Sequence, residues 1–354
     1  MREHELFKVT GLPVFQNKMF PDRTSALECQ TGDVRLVQDM GTGLIYNAAF
    51  DASLLEYDAD YQNEQACSTI FQQHLGEVKA IIQNNFGHRS LIEVGCGKGY
   101  FLEYLRQAGY SIIGIDPAYE GENPNVVKAR FESTLGLSAD GIILRHVLEH
   151  IPEPVEFLSK ISVANGCGGK IYIEVPCFDW ICRHRAWFDI FYEHVNYFRL
   201  ADFFRMFGKI HDSGHIFGGQ YLYVVAELSS LQTPKYDQRS HCEFPDNFLQ
   251  DIEQFAVIAK GKHNAIWGGA SKGVIFSLYM QRTGINMDCV IDINPAKQNK
   301  FMAATGLKVS SPSEGIAALH SGDNIFVMNS NYLEEIVSLS NNQFHYIQVD
   351  HHEF

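Results

Sequence analysis

The chain has 354 residues, about twice the length of an ordinary single domain, so it should divide into two or three folded units. Its 45% hydrophobic and 20% charged residues are typical of a globular protein and exclude a disordered chain. The formal net charge of -14 repels a phosphate backbone, so we expect no general nucleic-acid binding.

Residues 1–15 lack a basic segment followed by an apolar stretch and a small-residue cleavage site, and no run of about 18 apolar residues occurs in the chain. We therefore expect a cytoplasmic protein without a membrane partner. The eight cysteines include no CxxC pair, which favours reduced thiols over disulfides or a structural zinc site.

Residues 1–70 form the first predicted unit, a small lobe. Hydrophobic periodicity is weak there, and Asp33–Asp39 (DVRLVQD) has the alternation of a short β-strand. The lobe ends in a tyrosine-rich run between Tyr57 and Tyr61. We interpret this region as an appendage to a larger domain.

Residues 71–230 form the second unit, in which predicted helices and strands alternate. Apolar residues recur at helical spacing in Phe71–Asn84, and Leu91–Val94 is a buried strand that ends in a glycine turn. Such alternation indicates a parallel sheet covered on both faces. Gly218 and Gly219 separate two further strands, which predicts an antiparallel hairpin at the sheet edge. The other predicted elements are helices at 101–107 and 154–164 and strands at 111–116, 141–147 and 170–176.

Residues 231–245 are polar and aperiodic, so they are predicted to be a linker. The alternation resumes in residues 246–354, which predicts a second, smaller α/β domain. Its strands are predicted at 264–269, 289–294, 324–330 and 344–350, with helices at 272–282 and 332–339.

A glycine-rich turn follows the first strand of the second unit. In Glu93–Gly99 (EVGCGKG) the glycines let the backbone approach a ligand, and Asp116 at the tip of the next strand can accept hydrogen bonds from ribose hydroxyls. A dinucleotide fingerprint would place glycine or alanine at Tyr100, so S-adenosyl-L-methionine is favoured over NAD. The alternative is that the turn is only a tight strand-to-helix connection. The predicted cofactor-binding residues are Glu93, Gly95, Cys96, Gly97, Gly99, Asp116 and His146.

An ordered set of motifs is more specific than the glycine turn alone. The motifs are VLEHIPEPVEFL at 147–158, IYIEVP at 171–176, FYEHVNYF at 191–198, WGGASKG at 267–273 with VIDINPAKQNKF at 290–301, and NSNYLEEI at 329–336. Together they resemble the three-part sugar C-methyltransferases, which methylate the carbon next to a ketone on nucleotide-linked deoxyhexoses. The resemblance runs from about Tyr57 to Phe354.

The resemblance implies that the middle domain binds S-adenosyl-L-methionine, that the C-terminal domain packs beside it, and that residues 1–70 help to enclose the substrate. It also implies the catalytic residues. His194 matches the general base, Glu193 the acidic residue before it, His150 a second active-site histidine and Tyr61 a tyrosine at the substrate pocket.

Carbon methylation beside a ketone passes through an enolate, so a base must remove a proton and a donor must stabilise the oxyanion. We assign proton removal to His194, with Glu193 orienting it or raising its basicity. Enolate support is assigned to His150 together with Tyr192 or Tyr61. The alternative interpretation of His194 is a structural histidine.

Two departures from the family pattern are visible. Family members carry zinc-binding cysteines in the N-terminal lobe, whereas Cys29 is the only cysteine before the tyrosine-rich run here. The family also tends to have tyrosine where Phe191 stands, which leaves the sugar open. The remaining metal candidates, Cys177, Cys182 and His184, fit no standard ligand spacing, so we predict no metal.

Three basic residues are predicted to contact the substrate. Arg183 and Arg185 are candidates for an anionic group. Lys272 opens a helix after the second glycine turn, at 268–273, and would either contact a substrate phosphate or cap the turn.

The sequence therefore predicts an α/β protein with a class I Rossmann-like methyltransferase core, a small N-terminal lobe and a second, C-terminal Rossmann-like α/β domain. The predicted activity is S-adenosyl-L-methionine-dependent C-methylation of a small molecule, a nucleotide-linked deoxysugar. Two alternatives stay open. One is an O- or N-methyltransferase of another small metabolite, and the other is a non-catalytic cofactor-binding module or an NAD-dependent oxidoreductase. These patterns do not set the oligomeric state.

Overall fold

The structure is a computed structural model that describes residues 3–55 and 68–351. Residues 3–55 form the N-terminal lobe around an antiparallel sheet. Its elements are strands β1 (Glu3–Pro13), β2 (Met19–Phe20), β3 (Thr31–Asp39) and β4 (Ile45–Asn47) and helix α1 (Arg23–Leu27). Strand β3 lies between β1 and β4 and contains the predicted strand at 33–39, whereas the long strand β1 was not predicted.

Residues 68–230 form the central domain. Its helices are α2 (Thr69–Phe86), α3 (Tyr100–Gln107), α4 (Pro154–Ala164), α5 (Phe178–Arg183) and α6 (Leu200–Met206). Its strands are β5 (Leu91–Val94), β6 (Ile112–Ile115), β7 (Val126–Val127), β8 (Gly141–Arg145), β9 (Lys170–Pro176), β10 (Asn196–Tyr197), β11 (Ile210–Ile216) and β12 (Tyr221–Glu227). Seven strands make one sheet in the order β11-β12-β9-β8-β5-β6-β7, and β10 pairs with β4 of the lobe.

Both faces of the central sheet are buried, as the apolar runs predicted. Along β8, Ile142 and Leu144 pack in the cluster that holds α4, whereas Ile143 packs on the opposite face with α2 and α3. Strands β9, β8, β5, β6 and β7 are parallel, and β11 and β12 form the predicted antiparallel hairpin. The parallel strands therefore end at one edge of the sheet, where the glycine turn lies.

Residues 231–245, predicted as a linker, pack against the N-terminal lobe and the central domain. Ser240 and Cys242 are buried, and the Ser240 carbonyl accepts hydrogen bonds from side-chain nitrogens of Gln38 and Arg199, at 2.6 and 2.9 Å. Side chains of neighbouring segments thus satisfy backbone groups of Ser240 and Cys242, which lets this part of the segment be buried without pairing in a sheet.

The C-terminal domain is a second parallel sheet in the order β16-β14-β13-β17-β18. Its elements are α7 (Asp251–Ala259), β13 (Asn264–Trp267), α8 (Lys272–Arg282), β14 (Cys289–Ile291), β15 (Phe301–Met302), β16 (Val309–Ser310), α9 (Pro312–Ala317), β17 (Asn324–Val327), α10 (Leu333–Leu339) and β18 (His345–Gln348). Strand β15 pairs with β2, which joins this domain to the N-terminal lobe. The parallel strands of both sheets confirm the predicted α/β, Rossmann-like fold class.

Within the described residues, no helix has both the length and the apolar character needed to cross a membrane.

Candidate active site

The glycine turn after β5 uses backbone conformations that glycine adopts readily. Gly95 and Gly97 have φ angles of 75° and 53°. A Cβ atom at Gly95 would lie 2.4 Å from Cγ2 of Val147, so any side chain there would collide. Gly95 N donates to the Ile115 carbonyl at 2.8 Å, and Gly97 N donates to Oδ2 of Asp116 at 2.8 Å. These hydrogen bonds fix the conformation of the turn, and its glycines leave the backbone accessible to a ligand.

Glu93 lies beneath this turn and is 3% exposed. Burial raises the pKa of its carboxyl to about 8. Among the described residues, no group forms a hydrogen bond with its Oε2 atom. A buried polar atom without a partner is costly, so Glu93 has an unused hydrogen-bonding position at the cavity that it lines.

A cavity of about 380 Å³ lies over the glycine turn, between the central and C-terminal domains. Five of the predicted cofactor-binding residues line it: Glu93, Gly95, Cys96, Gly97 and His146. Gly99 and Asp116 do not line it. The Asp116 carboxylate accepts from Gly97 N and, at 2.8 Å, from Ala118 N, so it shapes the turn from behind. The opposite wall includes Gly268, Ala270 and Ser271 of the second glycine turn.

Glu174, on β9, is the centre of a buried polar network beside the cavity. Its carboxylate contacts Nε2 of His74 at 2.9 Å, Nε of Arg145 at 2.9 Å, Nε2 of His146 at 3.1 Å and the Tyr172 hydroxyl at 2.8 Å. Burial alone would raise the pKa of Glu174, but Arg145 and the two histidines lower it well below its ordinary value. The sequence analysis missed this network because its members come from separate elements.

His146 has a left-handed backbone conformation, with φ 51°. Burial disfavours its protonation, but hydrogen bonds with Glu149 and Glu174 raise its pKa to about 9. A strained backbone that turns a charged ring into a cavity is typical of a functional site.

His150 and His194 lie together on the cavity wall, with ring centroids 4.9 Å apart and planes at 81°. Nδ1 of His150 donates to the Glu193 carbonyl at 2.9 Å, because a carbonyl oxygen can only accept. The His194 ring packs edge-on against Phe191 at 4.8 Å. Burial lowers the pKa of His194 well below its ordinary value, and His150 lowers it further, so the imidazole is neutral at pH 7.

Other predicted catalytic side chains take different positions. Oε1 of Glu193 accepts from Gln16 N at 3.3 Å. The Tyr192 hydroxyl accepts from Asp51 N at 2.8 Å, and neither Tyr192 nor Glu193 lines the cavity. Tyr61 lies outside the described residues. The structure thus brings His150 and His194 to the cavity and places Tyr192 against the N-terminal lobe.

The predicted substrate-binding residues also separate. Arg183 and Arg185 do not line the cavity, and Nε of Arg185 donates to Oδ1 of Asn247 at 3.1 Å. Lys272 does line it, but its ammonium group contacts Oδ2 of Asp189 at 3.0 Å and Oε1 of Gln220 at 3.0 Å. Lys272 therefore joins the C-terminal domain to the central domain.

Among residues 3–55 and 68–351, one group of possible metal ligands appears that the sequence analysis did not find. Ligand atoms of Glu149, His150 and His194 all lie within 4.8 Å of one another. The motif EHIP placed Glu149 beside His150, but only the fold brings in His194, so local spacing could not reveal the group. Cys177, Cys182 and His184 are not part of it.

Comparisons with known proteins agree with this geometry. Residues 61–210 match the family model described as a methyltransferase domain. The chain is 25% identical over 293 residues, 70% of its length and 68% of the relative, to the C-methyltransferase NovU of Streptomyces niveus.

Solved structures similar to the chain include a SAM-dependent methyltransferase of Archaeoglobus fulgidus, with 20% identity, a TM-score of 0.36 and coverage of 44% of this chain and 93% of that one. Another is the 1,6-didemethyltoxoflavin-N1-methyltransferase of Burkholderia thailandensis, with 15% identity, a TM-score of 0.34 and coverage of 48% of this chain and 82% of that one. The matched domain contains the glycine turn that lines the cavity, and the chain is an S-adenosyl-L-methionine-dependent methyltransferase.

Proposed function

We propose that the protein is a C-methyltransferase that acts on a carbon next to a ketone in a nucleotide-linked deoxysugar, through an enolate. The observation that carries this proposal is the pair His150 and His194, which share one cavity with the glycine turn. The named C-methyltransferase relative supports carbon as the acceptor atom.

The residues present fit S-adenosyl-L-methionine. The turn at 95–97 presents backbone that a Cβ atom would obstruct, and Glu93 offers its unpartnered buried oxygen. When bound, the cofactor supplies an electrophilic methyl group on a sulfonium ion. We assign its binding to Glu93, Gly95, Cys96, Gly97 and His146, with Gly99 and Asp116 shaping the turn.

We assign proton removal to His194. Its ring lies on the cavity wall, so the lone pair of a neutral imidazole can take a proton from a bound ketone substrate. Glu193 acts on the pair through its backbone, since its carbonyl fixes the tautomer of His150. Oε1 of Glu193 faces Gln16, which ties the catalytic segment to the N-terminal lobe.

Enolate support is assigned to His150 and Tyr61. Nδ1–H of His150 is committed to the Glu193 carbonyl, so its Nε2 atom can donate to an oxyanion only when the ring is protonated. Tyr192 is the weaker candidate, because its hydroxyl is engaged by the backbone of Asp51.

The shape of the cavity supports a nucleotide-linked substrate. The cavity continues from the catalytic histidines to the second glycine turn, and lysines 98, 272 and 297 line it. Lysine ammonium groups suit an anionic phosphate, which would compete with Asp189 for Lys272 and with Asp292 for Lys297.

The proposal is tested by methyl transfer to a panel of nucleotide-linked keto-deoxysugars, with NMR to locate the new methyl group. The expected product has a new carbon–carbon bond next to the ketone. Solvent deuterium should enter that carbon when the substrate is incubated with enzyme and S-adenosylhomocysteine. A methyl group on oxygen or nitrogen would contradict the proposal.

Replacing the base should separate chemistry from binding. His194→Ala should lower turnover about 100-fold while S-adenosylhomocysteine affinity, measured by calorimetry, stays nearly unchanged. His211→Ala is the matched control, because His211 pairs with Glu227 on β12 and does not line the cavity. Normal turnover in His194→Ala would remove this assignment.

A further inference from the structure

The group formed by Glu149, His150 and His194 goes beyond what the methyl-transfer proposal requires. Three potential ligand atoms, one from each residue, lie within 4.8 Å of one another, and all three residues line the cavity. Two imidazole nitrogens and one carboxylate oxygen are a ligand set used in catalytic zinc sites, where a fourth position stays open. Proton removal by His194 gives no role to Glu149.

The carboxylate of Glu149 is the second observation that points to a ligand. Its side chain is 2% exposed, and among the described residues no group forms a hydrogen bond with Oε2. The other oxygen, Oε1, lies 3.6 Å from Nδ1 of His146. A buried carboxylate oxygen without a partner is costly, and a cation would satisfy it.

His150 is oriented as metal-binding histidines usually are. Its Nδ1–H group donates to the Glu193 carbonyl at 2.9 Å, which fixes the tautomer and leaves the Nε2 lone pair available. In protein metal sites, an outer hydrogen bond of this kind holds the ring and raises its basicity as a ligand.

The ligand types favour a transition-metal ion. Mg²⁺ and Ca²⁺ prefer oxygen ligands, whereas imidazole nitrogens with one carboxylate suit transition metals such as Zn²⁺ and Fe²⁺, of which Zn²⁺ needs no redox partner. Ligand atoms around a tetrahedral zinc ion, with bonds of about 2.1 Å, are roughly 3.4 Å apart. The ligand atoms of the three groups lie within 4.8 Å of one another, so they would have to approach by at most roughly 1.4 Å to reach that spacing.

We propose that Glu149, His150 and His194 bind a Zn²⁺ ion with one coordination position open to the cavity, and that the bound ion inhibits methyl transfer. The inhibitory part rests on the proposed function, because a His194 nitrogen that coordinates zinc cannot accept a proton from the substrate. The proposal that these residues bind zinc does not depend on the proposed function.

Binding is tested by titrating the metal-stripped protein with Zn²⁺ in a calorimeter and with Co²⁺ in a visible spectrometer. We expect one site, with the Co²⁺ absorption of a four-coordinate nitrogen–oxygen environment. Glu149→Gln and His194→Asn should each weaken binding about tenfold or more. His184→Gln is the matched control, because His184 lies near two cysteines but outside the group, and it should bind zinc like the unaltered protein.

S-adenosylhomocysteine binding by each variant checks that it is folded. Equal zinc affinity in Glu149→Gln and the unaltered protein would overturn the site, as would loss of binding in His184→Gln.

Inhibition is tested separately, with each protein compared with its own metal-free activity. Zinc should inhibit the unaltered enzyme, and EDTA should reverse the inhibition. Inhibiting Glu149→Gln to the same extent should require a zinc concentration at least about tenfold higher. A rise in turnover on adding zinc would overturn the inhibitory role. If no keto-sugar is methylated, the proposed function fails, and the two titrations still decide whether the metal site exists.

Discussion

The two glycine turns of this protein are built in the same way. In each, the NH group of the first glycine donates to the last residue of the neighbouring strand, Gly95 to Ile115 and Gly268 to Ile291, at 2.8 Å in both cases. In each, an aspartate after that strand accepts from a later glycine. Gly97 N donates to Oδ2 of Asp116, and Gly269 N to Oδ2 of Asp292, again at 2.8 Å in both.

The side chains around the turns differ. Asp292 also binds Nζ of Lys297 at 3.2 Å, whereas its bond from Asn294 N, at 2.8 Å, matches the bond from Ala118 N to Asp116 in the first turn. The backbone of Ser271, at the end of the second turn, donates to the Gln16 carbonyl of the N-terminal lobe at 3.1 Å. The second turn thus has an ion pair and a backbone bond to the N-terminal lobe in addition to the bonds that both turns share. Glycine spacing alone indicates the fold, and we propose the first turn as the cofactor site on the side chains around it.

The residue two positions before the first glycine differs in chemical character between the two turns. Two residues before the first glycine, the central domain has Glu93 and the C-terminal domain has Ile266, and both are buried. An isoleucine is sufficient to pack this position beneath a glycine turn. Burying the Glu93 carboxyl group lowers the stability of the folded protein. We therefore propose that Glu93 is present because it binds the ligand.

The largest expected effect concerns Lys272, which joins the second turn to the central domain. Lys272→Gln removes the partner of the buried Asp189 carboxylate, 3.0 Å away, and should lower the free energy of unfolding by about 3 kcal/mol. Urea denaturation measures this. Adding Asp189→Asn should restore part of the loss, whereas a stable Lys272→Gln protein with weakened substrate binding would make Lys272 a ligand contact instead.

The buried acid should make stability depend on pH. The folded-state pKa of Glu93, about 8, is above its ordinary value, so its contribution is complete at low pH and is lost as the pH rises through about 8. Glu93→Gln does not titrate there. The stability of the unaltered protein relative to this variant should fall by roughly 4 kcal/mol between about pH 5 and pH 9. A constant difference across urea titrations would show that Glu93 ionises normally.

Alanine at the first glycine of each turn compares the two directly. Gly95→Ala introduces strain and a collision with Val147, and should weaken S-adenosylhomocysteine binding about tenfold. Gly268→Ala, with φ 122°, is strained too, but its Cβ would lie 3.4 Å from Met328, and cofactor affinity should stay the same. Calorimetry measures the S-adenosylhomocysteine affinity of both variants. Equal losses of affinity would contradict the proposal that only the first turn binds the cofactor.

The smallest effects are expected at the two aspartates. Asp116→Asn weakens the bond that shapes the first glycine turn, the proposed cofactor site, and should lower S-adenosylhomocysteine affinity about fivefold. Asp292→Asn leaves Lys297 with a neutral partner, so it should cost about 1 kcal/mol of stability without changing affinity. A reversed pattern would assign the cofactor to the C-terminal domain.

Much of the fold could be predicted because buried parallel strands are continuous apolar runs. The predicted strand at 170–176 and helix at 154–164 agree with β9 and α4 residue for residue. Strand β1 could not be found, since register shifts between Glu5 and Phe7 and between Val9 and Leu12 break the alternation that identifies a strand. Buried and exposed residues alternate only in the stretches of strand between these register shifts.

The candidate site was less predictable than the fold. His150 and His194 could be named from motifs, and the structure places both at the cavity. Tyr192 is two residues from His194, yet its hydroxyl meets Asp51, because the packing of the N-terminal lobe decides its surroundings. Long-range packing of this kind leaves no local signal. The roles of these residues stay predictions until the variants are measured.

Strand pairing joins the N-terminal lobe to the central domain through β4 and β10 and to the C-terminal domain through β2 and β15. Exchanging the C-terminal half with that of a related enzyme would leave Met19 and Phe20 facing a foreign strand. A chimera designed to change substrate choice should therefore carry this short strand along with its partner.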